Sequence, residues 1–479
     1  MPSTSTAPPA GPTTGTGSSR WVALGVIAVA QLMVALDATI VNVALPTAQA
    51  SLGFGDAQRA WVITAYTLSF AGLLLLGGRI CDRIGRRRAM LIGLTGFALS
   101  SALAGAAGNL GVLVAGRSLQ GGCAALMAPA ALSLIAVTFT DPRERGKAFG
   151  IFGAVASSGA VTGLLLGGAL TEYAGWRWCL YVNVVVAAVA IVVARRVLPS
   201  GDGYAVPIDV ASGVLATGAL AATVLACSEA ATHGWDSARV LVAGATGLVL
   251  GAAFLVRQAR IDHPLLPLMI LADRYRATAY LATATSVLGT FGMFLMLTYH
   301  FQVVLGYSPL HTGLAFLPLN VAVIASSGVA SRLMGRVPAR ALVVPGLVVA
   351  SGGLALLTHL APTSGYLTLI LPAMVLVGAG VGCVFTPSIG VATSGIDPRM
   401  AGIAAATANT AMQIGGSVGT AVLNTVAIDA TRGYAGTAAE AMVHGFSAAT
   451  SVAAVVLVVV AVVVATSLRP HQAEAAGGS

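Results

Sequence analysis

Apolar runs of about 20 residues recur along the whole of this 479-residue chain, and this recurrence constrains its fold more than any other feature. A helix needs about 20 apolar residues to cross the roughly 30 Å hydrocarbon core of a bilayer. Only 9% of the residues are charged, whereas about 25% are charged in an ordinary soluble domain. The sequence therefore predicts an all-α polytopic membrane protein. It excludes a soluble enzyme, a secreted disulfide scaffold and a nucleic-acid-binding protein.

The runs also predict how many helices cross the membrane and which way they face. Fourteen are recognisable, near residues 21–46, 57–77, 89–107, 109–138, 148–171, 177–197, 208–230, 238–256, 277–305, 311–331, 341–360, 366–393, 401–428 and 443–467. Cationic residues favour cytoplasmic loops. With the N-terminus inside, the only cations in the outside loops are Arg59, Arg177, Arg239 and Arg432. The pattern predicts fourteen spans, both termini in the cytoplasm, and a multi-pass protein of the cytoplasmic (inner) membrane.

An internal repeat divides the predicted spans into two halves. Residues 77–90 align without gaps with residues 327–340, so that Arg86 falls on Arg336. Duplicated halves are typical of secondary transporters. We expect a disordered cytoplasmic tail (1–20), a six-helix bundle (21–197), two inserted transmembrane helices with their loops (198–275), a second six-helix bundle (276–467) and a cytoplasmic tail (468–479).

One acid lies deep inside a predicted span. An ionisable group at the bilayer centre costs at least about 2.5–3.5 kcal/mol, so such groups are usually functional. At about 1.5 Å per residue, Asp37 and Arg117 reach similar depths from opposite membrane surfaces. We interpret Asp37 as a proton-titrating carboxylate and a counter-charge for cationic substrates, with Arg117 as its modulator. The alternatives are an ion pair that only fixes helix packing and, for Arg117, snorkelling to the surface.

The short loop after the second span carries one acid among several arginines. Its candidate gating residues are Gly78, Asp82, Arg83, Gly85, Arg86 and Arg87. Asp82 could pair with the arginines at the inner helix ends, and these pairs would break as the halves move. The alternative is that the arginines only anchor the topology.

Small and polar residues inside other spans give further candidates. In span five, Gly159, Gly163 and Gly167 recur at every fourth position and Gly168 follows; this bare face allows close helix approach, which is also a general packing device. Other candidates are Gln120 and Gly121 in span four, and Trp61, Tyr66, Asn409 and Gln413 as cavity walls. Asn409 and Gln413 could instead bond between helices, and Trp61 could anchor at the interface.

Several of these segments together resemble the major facilitator superfamily, in particular its fourteen-span drug:proton antiporter branch, similar to QacA and EmrB. They are LDATIVNVALP (36–46), GGRICDRIGRRR (77–88), GRSLQGGCAALMAPA (116–130), GWRWCLYVN (175–183) and GYSPLHTGLAFLP (306–318). The resemblance runs from about residue 21 to residue 467. Span five is similar to the antiporter motif in its glycines but has Leu164 where the family usually has proline.

The resemblance implies the superfamily fold, two six-helix bundles plus two inserted helices, and secondary active transport rather than enzymatic catalysis. It implies alternating access in which substrate leaves as a proton enters, with Asp37 and Arg117 coupling the two. The expected partners are protons, the lipid bilayer and hydrophobic small molecules, cationic where Asp37 is the counter-charge. No nucleic acid, metal or cofactor is expected beyond the proton gradient as driving force, and the protein is expected to function as a monomer. The alternative is an exporter of one endogenous lipid, siderophore or metabolite.

Overall fold

The protein is all-helical throughout the part of the chain that the computed structural model describes, residues 17–199, 203, 209–262, 264–334, 336–393, 401–432 and 434–467. The helices of these residues are α1 (Gly17–Leu52), α2 (Asp56–Ile84), α3 (Arg86–Gly105), α4 (Leu110–Thr138), α5 (Pro142–Tyr173), α6 (Trp178–Val197), α7 (Val210–His233), α8 (Ala238–Arg260), α9 (Leu268–Ala272), α10 (Arg274–Tyr299), α11 (Pro309–Ala315), α12 (Leu317–Leu333), α13 (Arg340–Leu356), α14 (Leu371–Thr393), α15 (Ala401–Arg432) and α16 (Ala438–Ser467). Most of the predicted N-terminal tail (1–20) and the whole of the predicted C-terminal tail (468–479) lie outside these ranges.

The prediction of an all-α membrane fold is confirmed, and the number of spans is supported to within one. Within the described residues, 13 helices are long and apolar enough to cross a membrane. The 32-residue α5 is not among them, so fourteen spans remains a prediction, as does the orientation of the termini. α11 and α12 form one span that is interrupted at Phe316, just before Pro318, because proline has no N–H to continue the helical ladder.

The helices pack in two groups. α1 to α6 contact one another, principally through the pairs α2–α4, α1–α5 and α3–α4, and α10 to α16 do so through α12–α14, α13–α14 and α10–α15. Glycines allow several of these close approaches: a Cβ at Gly77 of α2 would overlap the carbonyl of Ala125 on α4. The exact limits of the two predicted bundles stay a prediction.

The hairpin of α7 and α8 lies beside the line where the two groups meet. Trp61 on α2 donates through Nε1 to Ser228 Oγ at 2.9 Å, and Thr425 on α15 donates through Oγ1 to the Cys227 carbonyl at 2.7 Å. Neighbouring residues of α7 therefore contact both groups of helices. α8 packs mainly on α7.

The buried apolar residues show at which end the two groups meet. One apolar cluster combines Leu45, Phe54 and Leu113 from the first group with Leu295 and Phe316 from the second. The other large cluster, which includes the inner ends of α1, α2 and α4, contains only residues up to Leu198. We call the shared end the outer end, because the predicted topology places it outside the cell. The two groups are therefore closed against each other at the outer end.

Candidate functional site

The carboxylate of Asp37 is completely buried and surrounded by hydrogen-bond donors from three other positions. Arg117 Nη1 on α4 lies 2.5 Å from Asp37 Oδ2. The other oxygen, Oδ1, accepts from Asn183 Nδ2 on α6 at 2.8 Å and from Gln120 Nε2 on α4 at 3.2 Å. All four side chains are at most 1% exposed. The structure thus brings together Asp37, Arg117 and Gln120, three of the predicted site residues.

Arg117 is held in place by contacts on every side. Its Nε donates to the Val62 carbonyl at 3.1 Å, and its Nη1 also donates to Gln120 Oε1 at 3.1 Å. Its guanidinium lies 4.5 Å from the ring centroid of Tyr66. Gln120 is itself fixed by a 2.7 Å hydrogen bond from its Nε2 to Ser101 Oγ. Because Arg117 is buried and paired, the structure does not show it snorkelling to the membrane surface.

This arrangement determines what the site can do chemically. A buried ion pair is stable only when the remaining polar atoms are also hydrogen-bonded, and removing one partner is strongly destabilising. Here both carboxylate oxygens of Asp37 accept hydrogen bonds, so no polar atom of the buried carboxylate is left without a partner. The pair joins α4 to α1, and its role in proton coupling stays a prediction. Among the described residues, no cluster of three His, Cys, Asp or Glu side chains could hold a metal ion.

The glycines of span five bring α5 against α1, the helix that carries Asp37. A Cβ at Gly163 would overlap Thr39 Oγ1 and lie 2.8 Å from the Leu36 carbonyl oxygen. Gly159 faces Ala35, Gly167 faces Ile40, and Gly168 faces Leu310 at the start of α11. The small residues are therefore needed for this contact. A packing role is visible, and a separate antiport role for them stays a prediction.

The predicted aromatic residues lie in different surroundings. Tyr66 is buried beneath Arg117, and its backbone carbonyl packs against Gly121, where a Cβ would overlap it. Trp61 donates to Ser228 of the inserted hairpin, so it joins two helices, and its role as a cavity wall stays a prediction. Gln413 is buried and Asn409 half-buried on α15, one helical turn apart. Their role as cavity walls stays a prediction.

The loop between α2 and α3 is tight. Gly85, at φ +90°, ends α2 and begins α3 in a backbone conformation that other residues rarely adopt. Nearby, Arg79 donates to the Pro264 carbonyl at 3.0 Å, and Arg87 donates to the Arg195 carbonyl. Asp82 is exposed, and within the described residues it takes part in no ion pair. The structure therefore does not show the pairing of Asp82 with Arg83, Arg86 or Arg87, and the gate stays a prediction.

A polar cluster at the outer end connects the two groups of helices, and sequence reasoning missed it. Arg59 on α2 is 3% exposed, and its Nε donates to Asn424 Oδ1 on α15 at 2.9 Å. Its guanidinium lies 4.2 Å from the Tyr299 ring centroid on α10, and the Tyr299 hydroxyl donates to Gln49 Oε1 on α1. Gln49 Nε2 in turn donates to Asp56 Oδ1 at 2.8 Å. We call these five residues the outer cluster.

Asn183 and Ser101 are also site residues that sequence reasoning did not single out. Asn183 is the last residue of the GWRWCLYVN segment. This segment is one of those that resemble the family, so the sequence did contain a signal for Asn183. Ser101 has no comparable signal, because serine is common in transmembrane helices.

Comparison with known proteins gives consistent matches along most of the chain. A family model described as Major Facilitator Superfamily matches residues 27–420. The puromycin resistance protein pur8 of Streptomyces alboniger is 48% identical over 455 residues, which is 92% of this chain and 90% of that protein. The cephamycin export protein CmcT of Amycolatopsis lactamdurans is 38% identical over 87% of each chain.

Solved structures agree in fold. The crystal structure of a bacterial homologue of the human lysosomal transporter Spinster, in an inward-facing and occupied conformation, superposes with a TM-score of 0.70. The match covers 95% of this chain and 98% of that one at 16% identity. At this identity the likeness concerns the fold alone.

Proposed function

The chain belongs to the Major Facilitator Superfamily, and we propose that it exports drugs or natural products in exchange for protons, with Asp37 as the proton-carrying group. It is a multi-pass membrane transporter rather than an enzyme. Relatives are named for puromycin resistance, cephamycin export, and tetracenomycin C resistance and export. These names support small organic molecules as the cargo. No cofactor is needed beyond the proton gradient, and one chain is sufficient for transport.

The observation that carries the proposal is the completely buried ion pair of Asp37 and Arg117. A charged pair inside a membrane protein is costly, and a pair that only fixed packing could be replaced by apolar side chains at little loss. Here Asn183 and Gln120 also donate to Asp37. Three residues on α4 and α6 thus donate to a single buried carboxylate on α1, and a proton entering from outside would bind to this carboxylate.

Alternating access explains how that proton would drive export. In the described state the outer ends are closed by the shared apolar cluster and by the outer cluster, so cargo enters from the cytoplasmic side. Protonation of Asp37 releases Arg117, and this biases the bundle towards a different arrangement. Cargo and proton must each favour a different state, because a ligand with equal affinity for both states shifts nothing. Each proton supplies about 2.3 kcal/mol per 100 mV of membrane potential, plus the pH difference.

A second candidate is an exporter dedicated to one endogenous metabolite. The names of two relatives, the cephamycin export protein and a probable actinorhodin transporter, favour it. Both candidates share the fold and the proton site and differ in the range of cargo. A panel of unrelated compounds distinguishes them, since a dedicated exporter would transport one member and a multidrug exporter several.

The decisive experiment measures substrate-induced proton movement in proteoliposomes. Wild type and Asp37→Asn are reconstituted with an imposed pH gradient, and a compound panel that includes puromycin is added. We expect at least one compound to collapse the gradient through the wild type and none through Asp37→Asn. Asp429→Asn, a change at a partly exposed acid of α15, is the matched control and should behave as wild type. Coupled transport by folded Asp37→Asn would overturn the proposal.

A further inference from the structure

A groove of about 650 Å³ lies between α7 and α8, outside the site described above. Leu225 of α7 and Val242, Ala243 and Thr246 of α8 line it. Thr246 lies four positions after Val242 and three after Ala243, and Leu225 lies three positions after Ala222, which also lines the groove. The lining residues of each helix therefore share one face, and the groove runs along the hairpin. The groove is largely apolar along this length and could accommodate a hydrocarbon chain.

One end of the groove carries charge of both signs. Glu229 and Arg239 both line it, with Glu229 Oε2 3.8 Å from Arg239 Nη1. Arg239 Nη1 also lies 3.0 Å from His233 Nε2, and His233 Nδ1 lies 3.1 Å from Glu229 Oε2. Within the described residues, Glu229 Oε2 accepts no hydrogen bond of acceptable geometry. Glu229 Oε2 itself is buried, but the Glu229 side chain as a whole is 28% exposed and Arg239 is 69% exposed. Arg239 and the exposed part of the Glu229 carboxylate are therefore accessible to a further partner.

Other residues of α8 form exposed apolar surface. Leu241 is 61% exposed and Leu248 is 77% exposed, although both are strongly apolar. In a transmembrane hairpin such surface is covered by acyl chains. With the predicted orientation, Glu229 and Arg239 lie at the end of the hairpin that faces outside, at the depth of the outer-leaflet headgroups.

We propose that this groove binds a zwitterionic aminophospholipid of the outer leaflet, phosphatidylethanolamine. Its ammonium group binds Glu229, its phosphate binds Arg239, and one acyl chain lies along Leu225 and Thr246. A carboxylate beside a guanidinium matches a headgroup in which ammonium and phosphate are neighbours, because each forms a charge-assisted hydrogen bond. An anionic headgroup would match only Arg239 and would be repelled by Glu229.

The proposed lipid would brace the inserted hairpin. α8 packs mainly on α7, whereas α7 contacts α2 and α15. A lipid bound between α7 and α8 therefore strengthens the attachment of α8 without contacting the Asp37 site. This inference depends on the membrane orientation of the hairpin and not on proton coupling.

Lipid binding is tested with the full chain by native mass spectrometry and by thermal unfolding in detergent. Delipidated protein is mixed with phosphatidylethanolamine, phosphatidylglycerol or phosphatidylcholine. We expect phosphatidylethanolamine to be retained at least tenfold more than phosphatidylglycerol. The double variant Glu229→Gln/Arg239→Gln should lose that preference while unfolding normally in the absence of lipid.

A second pair of variants tests the part of the groove that would bind the acyl chain of the lipid. Leu225→Trp fills it and should reduce retention of phosphatidylethanolamine severalfold, while Leu248→Trp, on exposed surface outside the groove lining, should leave it unchanged. Equal retention by the double variant, a preference for phosphatidylglycerol, or occupation of the groove by a second copy of this chain would each overturn the proposal.

Discussion

Asn183 Nδ2 donates a 2.8 Å hydrogen bond to Asp37 Oδ1, which joins α6 to α1 at the buried carboxylate. Asn183 is 1% exposed, so water does not replace this donor. Hydrogen bonds to charged groups contribute about 1.5–3 kcal/mol, roughly twice as much as those between neutral groups. Asn183 is therefore a positioning residue for Asp37, in addition to Arg117 and Gln120.

Asn183→Ala should lower the free energy of unfolding by about 1.5–3 kcal/mol, because a buried carboxylate loses one donor. The same substitution in an Asp37→Asn background should cost about 0.5–1.5 kcal/mol, since the remaining bond joins neutral groups. Denaturation in detergent micelles of the wild type, both single variants and the double variant measures this difference as a coupling energy. Strictly additive effects would show that the two side chains do not interact energetically.

Gly163→Ala should impair both folding and transport. The new Cβ would overlap Thr39 Oγ1 and lie 2.8 Å from the Leu36 carbonyl oxygen, so α5 must move away from α1. Overpacking of this kind typically costs about 1–3 kcal/mol. Unfolding in detergent and transport in proteoliposomes both measure the effect.

Gly150→Ala is the matched control for that variant, because it lies on the same helix and nothing lies within 4 Å of its added Cβ. It should be neutral or slightly stabilising, since alanine favours a helix over glycine by about 1 kcal/mol. If Gly163→Ala matched Gly150→Ala in stability and transport, the close approach of α5 to α1 would not matter for function.

Asn424→Ala should favour opening of the outer end. The substitution removes the acceptor for Arg59 Nε, which is buried and lies 2.9 Å from Asn424 Oδ1. A buried donor without a partner costs about 1–3 kcal/mol, and it is relieved when the outer ends separate. Spin labels at exposed Ala50 and Ala435, near the ends of α1 and α15, should show a larger population at long distance.

Asp429→Asn serves as the control for Asn424→Ala. Asp429 pairs with Arg432 at 3.9 Å within α15, so its ion pair among the described residues lies within one helix and does not join the two groups. Its distance distribution should match that of the wild type. An unchanged distribution in Asn424→Ala would mean that the outer cluster does not contribute to closure.

The sequence predicts those features that follow from the cost of placing polar groups in lipid. The helical fold follows from the length and spacing of the apolar runs, and Asp37 with Arg117 stands out because charges within spans are rare. The structure then brings these two residues together at 2.5 Å. Helix depth alone was sufficient to predict that they could meet.

Contacts between distant parts of the chain were not predictable in this way. Arg59 counted only as a cation in an outside loop, and its burial depends on Asn424, 365 residues later. Amide side chains such as Asn183 carry no charge, so their presence in a span costs less and attracts less notice. Asp82 lies beside several arginines in sequence, yet it is exposed and forms no ion pair within the described residues. Arg79 and Arg87 donate to backbone carbonyls, and such contacts are not visible in a sequence.

The base of the inserted hairpin should show a pH dependence of stability that comes from Asp209. Burial raises the pKa of this carboxyl, but hydrogen bonds from Arg257 and Ser212 outweigh burial and hold the pKa below its ordinary value of 3.8. Arg257 Nη2 lies 2.9 Å from Asp209 Oδ1, and Asp209 precedes the first membrane-spanning residue of α7. The ionised form is therefore favoured in the folded state.

It follows that Asp209 stabilises the fold fully above about pH 4 and loses this contribution as the pH falls through its lowered folded-state value. Asp209→Asn should unfold at a lower temperature than the wild type at about pH 6, and the difference in unfolding temperature should narrow as the pH falls below about 4. Thermal unfolding in detergent across this range measures the difference in unfolding temperature, with Asp262→Asn, a change at an exposed acid near the end of α8, as the control. If the difference in unfolding temperature between wild type and Asp209→Asn did not narrow on acidification, the ion pair of Asp209 with Arg257 would contribute nothing to the stability of the hairpin.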